Sequence, residues 1–343
     1  MTVCLYYVLW MCMDDRLNLN TNEKGSIAIA MAVYNGEPFL VNQIHSIANQ
    51  TMKNWNLFFR DDGSYDISQD IVSNFCNGNR RAYILSDGDG NLGAGGNFRA
   101  LIQSREMSGY DYVAFSDQDD VWELDKLSVQ LKLMHVMEEK FPTSPLLIHS
   151  DMRVVDASLK ELSSSFMNYQ GIHNENNPVP VLLAQNFVTG CTVLVNRSLL
   201  DIALPIPEEA LMHDWWLALC AAVFGHIGCI DRPLVKYRQH ENNEVGAKHL
   251  RDLLNPLSGK WKQRWLEGRV NLYQSMKQAK VLAARVRLYD PKNPYLSLIE
   301  EYASLQQYAP LKRVEKINQL GIHCQSKIRQ TLLLSRLMFM RKA

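Results

Sequence analysis

The sequence predicts an α/β protein: a mixed β-sheet with helices on both faces, followed by a helical C-terminal region. Three features carry that reading. A strand–helix unit recurs four times across residues 26–139, each strand stopping at a turn signal or a polar loop. Across 146–238 the apolar strands follow one another without helical crossovers, and from 250 onward the spacing is mostly helical. Successive parallel strands need right-handed crossovers that lay helices on the sheet, so four such units imply a parallel half-sheet whose loops gather along one edge.

Residues 26–34 alternate Ile27, Ile29, Met31 and Val33 with alanines, the pattern of a strand covered on both sides. The strand ends at Asn35-Gly36, and Phe39, Leu40, Ile44 and Ile47 then recur at helical spacing across 37–50. The second strand, 56–60, stops at Asp61-Asp62-Gly63-Ser64 ahead of a helix at 67–75; the third, 82–85, precedes a glycine loop at 88–96 and a helix to 105. The fourth, 111–115, ends in Ser116-Asp117-Gln118-Asp119-Asp120 before a helix at 124–139. Further strands are expected at 146–149, 152–155, 188–196, 227–230 and 234–238, with helices at 213–224 and 261–288. The chain thus divides into an N-terminal extension at 1–24, read as disordered or loosely packed, an α/β domain at 25–247 and a helical region at 248–343.

With 47% apolar and 21% charged residues, the chain has the composition of a globular protein rather than a disordered or membrane-embedded one. The zero net charge conceals an asymmetry: residues 248–343 hold 19 Lys and Arg against 6 Asp and Glu, whereas 1–247 hold 17 against 30. A tail of about +13 on a body of about −13 suits an anionic partner or solvated helix faces. Solvated helix faces are the commoner cause of such a split, anionic lipid is the partner such a tail could meet, and no nucleic acid is expected. The seven cysteines form no Cys-x-x-Cys and no zinc spacing, which fits reduced thiols in a cytoplasmic protein. The apolar run at 3–13 is too short to span a bilayer and lacks a basic flank.

The carboxylates of Asp117, Asp119 and Asp120 gather at one strand end. Like charges that close raise one another's pKa, and a hard cation such as Mg²⁺ or Mn²⁺ relieves the repulsion. Ligands of open α/β sheets collect at this edge, so a phosphorylated substrate is expected with the ion. The cluster does not fit an EF-hand, no Walker A sequence is present, and Gly88-Asp89-Gly90-Asn91-Leu92-Gly93 meets only the bare dinucleotide pattern, after the wrong strand. Asp62 is placed to accept the imide N–H of a pyrimidine or to cap the following helix; Asp61 and Asp66 are read as caps.

Seven segments in order then carry a resemblance: Ala-Val-Tyr-Asn-Gly-Glu (32–37), Asp-Asp-Gly-Ser (61–64), Asn-Leu-Gly-Ala-Gly-Gly-Asn (91–97), Phe-Ser-Asp-Gln-Asp-Asp-Val-Trp (115–122), Thr-Gly-Cys (189–191), His-Asp-Trp-Trp (213–216) and Tyr-Arg-Gln-His-Glu-Asn-Asn (237–243). Across 26–247 the chain resembles inverting glycosyltransferases of family 2 with the GT-A fold, and its 116–122 and 213–216 segments are most similar to bacterial rhamnosyltransferases that build O-antigen or other surface polysaccharide. The resemblance implies that Ala32, Tyr34 and Asp62 hold the base, that Asn91 and Asn97 line the nucleoside pocket, and that Asp117 contacts ribose or sugar hydroxyls. Asp119, with His240, would ligate the metal that bridges the diphosphate. Asp214 would be the catalytic base, with Trp215 stacking on sugar and Thr189 and Gly190 forming the acceptor wall; core packing is expected for one of Trp215 and Trp216. The expected reaction moves L-rhamnose from dTDP-L-rhamnose to a lipid-linked or polysaccharide acceptor.

Beyond residue 250 the resemblance fades. Trp261, Trp265, Leu266, Val270 and Tyr273 share one helical face beside Lys260, Lys262, Arg264 and Arg269, and 327–342 repeats the mixture. Such a basic amphipathic helix suits peripheral attachment to the inner face of the cytoplasmic membrane, or packing on the catalytic domain or a second subunit. A sugar-1-phosphate nucleotidylyltransferase would share the fold, but the turn at 34–37 lacks a basic phosphate loop. A scaffold without catalysis would have no use for the acidic elements at 62, 117–120 and 214.

Overall fold

A computed structural model describes residues 25–240 and 261–340, the side chains of 261 and 262 excepted. The predicted extension at 1–24, Lys260 and residues 241–243 of the last motif lie outside the described residues. In chain order the elements are β1 (Ile27–Val33), α1 (Leu40–Ala48), β2 (Trp55–Asp61), α2 (Ser68–Gly78), β3 (Ala82–Ile84), α3 (Gly93–Gln103), β4 (Tyr112–Ser116), β5 (Val121–Trp122) and α4 (Lys126–Lys140). There follow β6 (Leu146–Val155), β7 (Glu161–Ser163), α5 (Phe166–Gln170), α6 (Pro178–Ala184), β8 (Leu194–Asn196), α7 (Arg197–Ala203), α8 (His213–Phe224) and β9 (His226–Arg238). The C-terminal region contributes α9 (Trp261–Tyr289), α10 (Leu296–Ala303), α11 (Pro310–Gln319) and α12 (Lys327–Phe339).

The sheet runs β3-β2-β1-β4-β8-β6-β9-β5, with β7 beside β6. β1 to β4 are mutually parallel where they pair, while β8 is antiparallel to both of its neighbours, so the sheet is mixed. The loops after β1, β2 and β4 therefore lie side by side at one edge.

Alternation in β1 sorts the core into two layers. Ile27, Ile29, Met31 and Val33 pack with α1 and α4 residues such as Leu40, Ile44, Leu127 and Leu131. Ala28 and Ala30 admit the bulkier Phe98, Trp216 and Leu217 on the opposite face. That second layer also includes Leu272, Met276, Leu282 and Val286 of α9, so the C-terminal helices share the core of the sheet domain. Burying those four side chains stabilises the fold by about 1.5–3 kcal/mol each.

Two departures from the predicted elements have physical causes. The pairs of short strands expected at 146–155 and 227–238 are single strands, because β6 and β9 pair in parallel along their lengths and register shifts around Ser150 and Asp151 absorb the polar interruption. The strand expected at 188–196 is strand only at β8. Gly190–Thr192 forms a 3-10 turn instead, in which the Thr192 N–H and hydroxyl both donate to the Thr189 carbonyl, at 3.0 and 2.7 Å.

Candidate active site

At the end of β1 the Tyr34 ring stands 45% exposed, edge-on to Tyr65 at 6.4 Å. Its backbone is clasped by Gln118: the Tyr34 N–H donates to Oε1 and Nε2 donates to the Tyr34 carbonyl, both at 2.8 Å. A Cβ on Gly36 would displace that Gln118 amide, so glycine there leaves room for the clasp. Ala32 is half-buried one step back on β1. Asp61 accepts from the Gly63 and Ser64 N–H groups and Asp66 from those of Ser68 and Glu37, so both secure the turn before α2, whose N-cap position is Ile67 rather than either aspartate.

Asp62 and Asn97, the two buried residues of the expected nucleoside set, are also held within the protein. Asp62 is 2% exposed, and its carboxylate accepts from the Leu92 and Gly93 N–H groups at 2.8 Å each and from Arg60 at 2.7 Å. It thereby pins the glycine loop and the start of α3 to β2. Asn97 is equally buried; its amide donates to the Arg60 carbonyl at 3.2 Å and holds α3 against the strand ends. Asn91 is exposed, donating to the Asp62 carbonyl at 2.9 Å. Of the residues assigned to the nucleotide, Ala32, Tyr34 and Asn91 border open space, and Asp62 and Asn97 support them from below.

The acidic cluster splits by depth. Asp120 is fully buried and accepts from the Arg238 N–H at 3.2 Å, while its Oδ2 has no hydrogen-bond partner among the described residues. Burial first, and then the charges of Asp119 and Asp117, raise its pKa well above the usual carboxylate range. Asp117 and Asp119 are half-buried at the mouth, and Asp119 Oδ2 lies 2.8 Å from His240 Nε2. The predicted metal pair, 121 residues apart in sequence, is thus in direct contact. Two such atoms can share one cation, and a further carboxylate at Asp117 gives the oxygen-rich set that Mg²⁺ or Mn²⁺ prefers. Oxygen and sulfur atoms of Asp117, Asp120 and Cys191 also lie within 4.8 Å of one another. Burial keeps the Cys191 thiol protonated and it contacts Met152 Sδ at 3.4 Å, so it suits a hard cation poorly.

Asp214 opens α8 and sits across the Gly190–Thr192 turn from this cluster. Its Oδ2 accepts from the Gly190 N–H at 2.9 Å and its Oδ1 from the Trp215 N–H at 2.6 Å. Desolvation outweighs those hydrogen bonds and pushes its pKa up to about 6. The turn itself joins the two centres, since Gly190 holds Asp214 and the adjacent Cys191 touches the acidic group. Trp216 is fully buried and donates to the Ala203 carbonyl, the core role expected of one tryptophan; Trp215 is half-buried and donates to the Leu182 carbonyl. Thr189 is half-buried and Gly190 buried beside Asp214.

Three supporting residues escaped the sequence reading. Arg60, 1% exposed, joins Asp62 to Asp87 and holds the Asp87 carboxyl below its usual range. Its signal was an arginine closing the apolar run Leu57-Phe58-Phe59. Arg238, also buried, donates its N–H to Asp120 and its Nε to the Asp119 carbonyl, which fixes the acidic loop. Gln118 had no sequence signal apart from its neighbours.

This arrangement of sheet and acidic loop is that of a sugar-transferring enzyme, and the chain belongs to the family 2 glycosyltransferases. The family model described as "Glycosyl transferase family 2" matches residues 28–196. The chain is 30% identical over 230 residues to the "dTDP-rhamnosyl transferase RfbG" of Shigella flexneri, covering 63% of this chain and 74% of that protein. It is 33% identical over 232 residues to the "UDP-Glc:alpha-D-GlcNAc-diphosphoundecaprenol beta-1,3-glucosyltransferase WfgD" of Escherichia coli, covering 63% and 78% respectively. In fold it is similar to S. aureus TarS 1-349 in complex with UDP-GlcNAc, with a TM-score of 0.50 at 14% identity over 91% of this chain and 88% of that one. The mannosyltransferase PcManGT from Pyrobaculum calidifontis, in complex with GDP-Man and Mn²⁺, is equally similar, with a TM-score of 0.50 at 14% identity over 92% and 87%. No helix among the described residues is long and apolar enough to cross a membrane.

Proposed function

We propose that the chain is a metal-dependent inverting glycosyltransferase that moves L-rhamnose from dTDP-L-rhamnose to a hydroxyl of a lipid-linked or polysaccharide acceptor in surface-glycan synthesis. The observation that carries the reading is the Asp214 carboxylate, held by two backbone N–H groups across a three-residue turn from the acidic loop. With a pKa of about 6 it is ionised at neutral pH yet more basic than an ordinary aspartate, which suits general-base removal of an acceptor proton. Attack from the Asp214 side, with the diphosphate leaving toward Asp119, inverts the anomeric carbon.

Tyr34, Ala32 and Asn91 would receive the nucleoside, supported by Asp62 and Asn97, and Asp117 the ribose or sugar hydroxyls. Asp119 and His240 would hold Mg²⁺ or Mn²⁺, whose charge offsets that developing on the leaving diphosphate. Thr189, Gly190 and Trp215 would border the acceptor. The similarity to the Shigella flexneri dTDP-rhamnosyl transferase supports rhamnose and thymidine in particular.

A thermal-shift panel of nucleoside diphosphates and nucleotide sugars with Mn²⁺ tests this reading. dTDP and dTDP-L-rhamnose should stabilise the chain most, and Asp119→Ala should remove the Mn²⁺-dependent part of the shift. Stabilisation by UDP- or GDP-sugars instead would replace the donor; no shift with any nucleotide would end the proposal.

The C-terminal region supports peripheral attachment to the inner face of the cytoplasmic membrane. α9 buries Leu272, Met276 and Leu282, while Leu266 and Val270 on its other side are 47% and 64% exposed, beside the basic Arg264 and Arg269. An exposed apolar stripe flanked by cations fits an anionic lipid surface.

A further inference from the structure

The 190–192 turn that holds Asp214 is itself fastened from behind by two polar side chains of α4. Lys126 and Gln130 stand one helical turn apart, and both are 0% exposed. The Lys126 ammonium donates to Gln130 Oε1 at 3.0 Å and lies 3.7 Å from the centre of the Trp122 ring, and it forms no ion pair among the described residues. Gln130 Nε2 donates in turn to the Thr192 carbonyl at 2.6 Å. Burial pulls the Lys126 pKa down to about 7. Apolar side chains would fill the same volume without desolvating an ammonium, so this polar pair points to a task beyond packing.

The Thr192 carbonyl shows what the pair holds. β8 begins only at Leu194, so this carbonyl lies outside the sheet ladder and needs another donor, which Gln130 supplies. Within the bend, the Thr192 N–H and hydroxyl return to the Thr189 carbonyl and the Val193 N–H to that of Gly190, so a fixed Thr192 fixes its neighbours. At the other end, the Gly190 N–H donates to Asp214 Oδ2 at 2.9 Å. The second donor to Asp214, the Trp215 N–H, belongs to α8 itself. The Gly190 bond is therefore the one that ties the carboxylate to the rest of the site, and Cys191 of the same bend adjoins Asp117 and Asp120 within 4.8 Å.

We propose that Gln130, steadied by Lys126, is a positioning residue: by gripping the Thr192 carbonyl it sets where the Asp214 carboxylate stands relative to the acidic loop. The inference rests on the reading of Asp214 as base. Neither α4 side chain touches substrate in this scheme. An inverting displacement needs nucleophile and leaving group in line through the anomeric carbon, and a misplacement of about 1 Å costs on the order of 10²-fold in rate. Hydrogen bonds in series from α4 through the turn to Asp214 resist that misplacement.

The test is a ¹³C NMR titration of the full chain with labelled aspartate carboxyls, the Asp214 signal being assigned by its loss in Asp214→Asn. Burial pulls the pKa of the adjacent His213 down to about 3, so that ring stays uncharged and the midpoint reports the bonds to Asp214. The wild-type midpoint should lie near 6. Gln130→Leu frees the turn and weakens the Gly190 bond to the ionised carboxylate, which should raise the midpoint by about one pH unit. Mn²⁺-dependent turnover of dTDP-L-rhamnose, with water or methyl glycosides as acceptor, should fall about tenfold or more, while dTDP affinity by calorimetry stays within about twofold. Lys126→Met combined with Gln130→Leu strands no buried ammonium; it should behave alike and decides the matter if the single variant misfolds. An unmoved midpoint, even with a lower melting temperature, would reduce Gln130 to packing and overturn the proposal. So would a raised midpoint with unchanged turnover, or lost dTDP affinity with the midpoint in place. Wild-type turnover by Asp214→Asn would overturn the base instead, and if another sugar is the donor the midpoints still decide.

Discussion

Asp214 is engaged by two N–H donors and still titrates near 6, because desolvation outweighs the hydrogen bonds. As the proposed base, Asp214 works only when ionised, so kcat should fall about tenfold per pH unit below about 6 and level off above it. Initial rates between pH 5 and 8 would show this limb. Asp214→Asn keeps the shape but not the basicity; it should lower kcat by about 10²–10⁴ while nucleotide affinity, read by calorimetry, stays within twofold. Arg60 makes a prediction about stability. It is a buried cation holding two carboxylates, and Arg60→Met leaves Asp62 buried without its counter-charge, which should cost about 3–5 kcal/mol in urea unfolding. At this scale the sequence motifs marked residues that the fold gathers at the strand ends, among them Tyr34, Asp119 and His240. They did not reveal that Asp62 and Asn97 secure the glycine loop and α3, since a motif cannot tell a carboxylate that faces a base from one that also holds the loop beside it.

At the scale of elements, strand–helix alternation located β1 to β4 and α1 to α4 to within a few residues, because each has its own apolar face and its own terminating turn. His213–Phe224 was recovered at both ends for the same reason. The 190–192 turn was not, since its bend depends on an Asp214 carboxylate 24 residues away. α9 shows the same limit. Its lipid-like stripe at 265–273 is visible in the sequence, but the face buried against α6 and α10 is the one carrying Leu272, Met276 and Val286. Truncation after residue 250 should therefore expose part of the core and abolish a cooperative thermal transition, as measured by calorimetry, rather than release an intact catalytic domain.

Across the whole molecule, charge is segregated, with a body of about −13 and a tail of about +13 counted over the full sequence. If the tail meets anionic lipid, Leu266→Asp combined with Val270→Asp should reduce sedimentation with phosphatidylglycerol vesicles about tenfold while transfer to a soluble acceptor persists. Neutral phosphatidylcholine vesicles should bind neither form, and added salt should weaken the wild-type interaction. Equal sedimentation of both proteins would remove the stripe from the contact. From the sequence alone one could read a mixed α/β sheet, the family, and the residue types that meet at its edge, since periodicity and turn chemistry are local properties of the chain. The tertiary structure alone decided that Asp119 meets His240 and that the Gly190 N–H holds Asp214. Those relations depend on how separate elements pack, and packing distance is not encoded in the spacing of residues along one strand or helix.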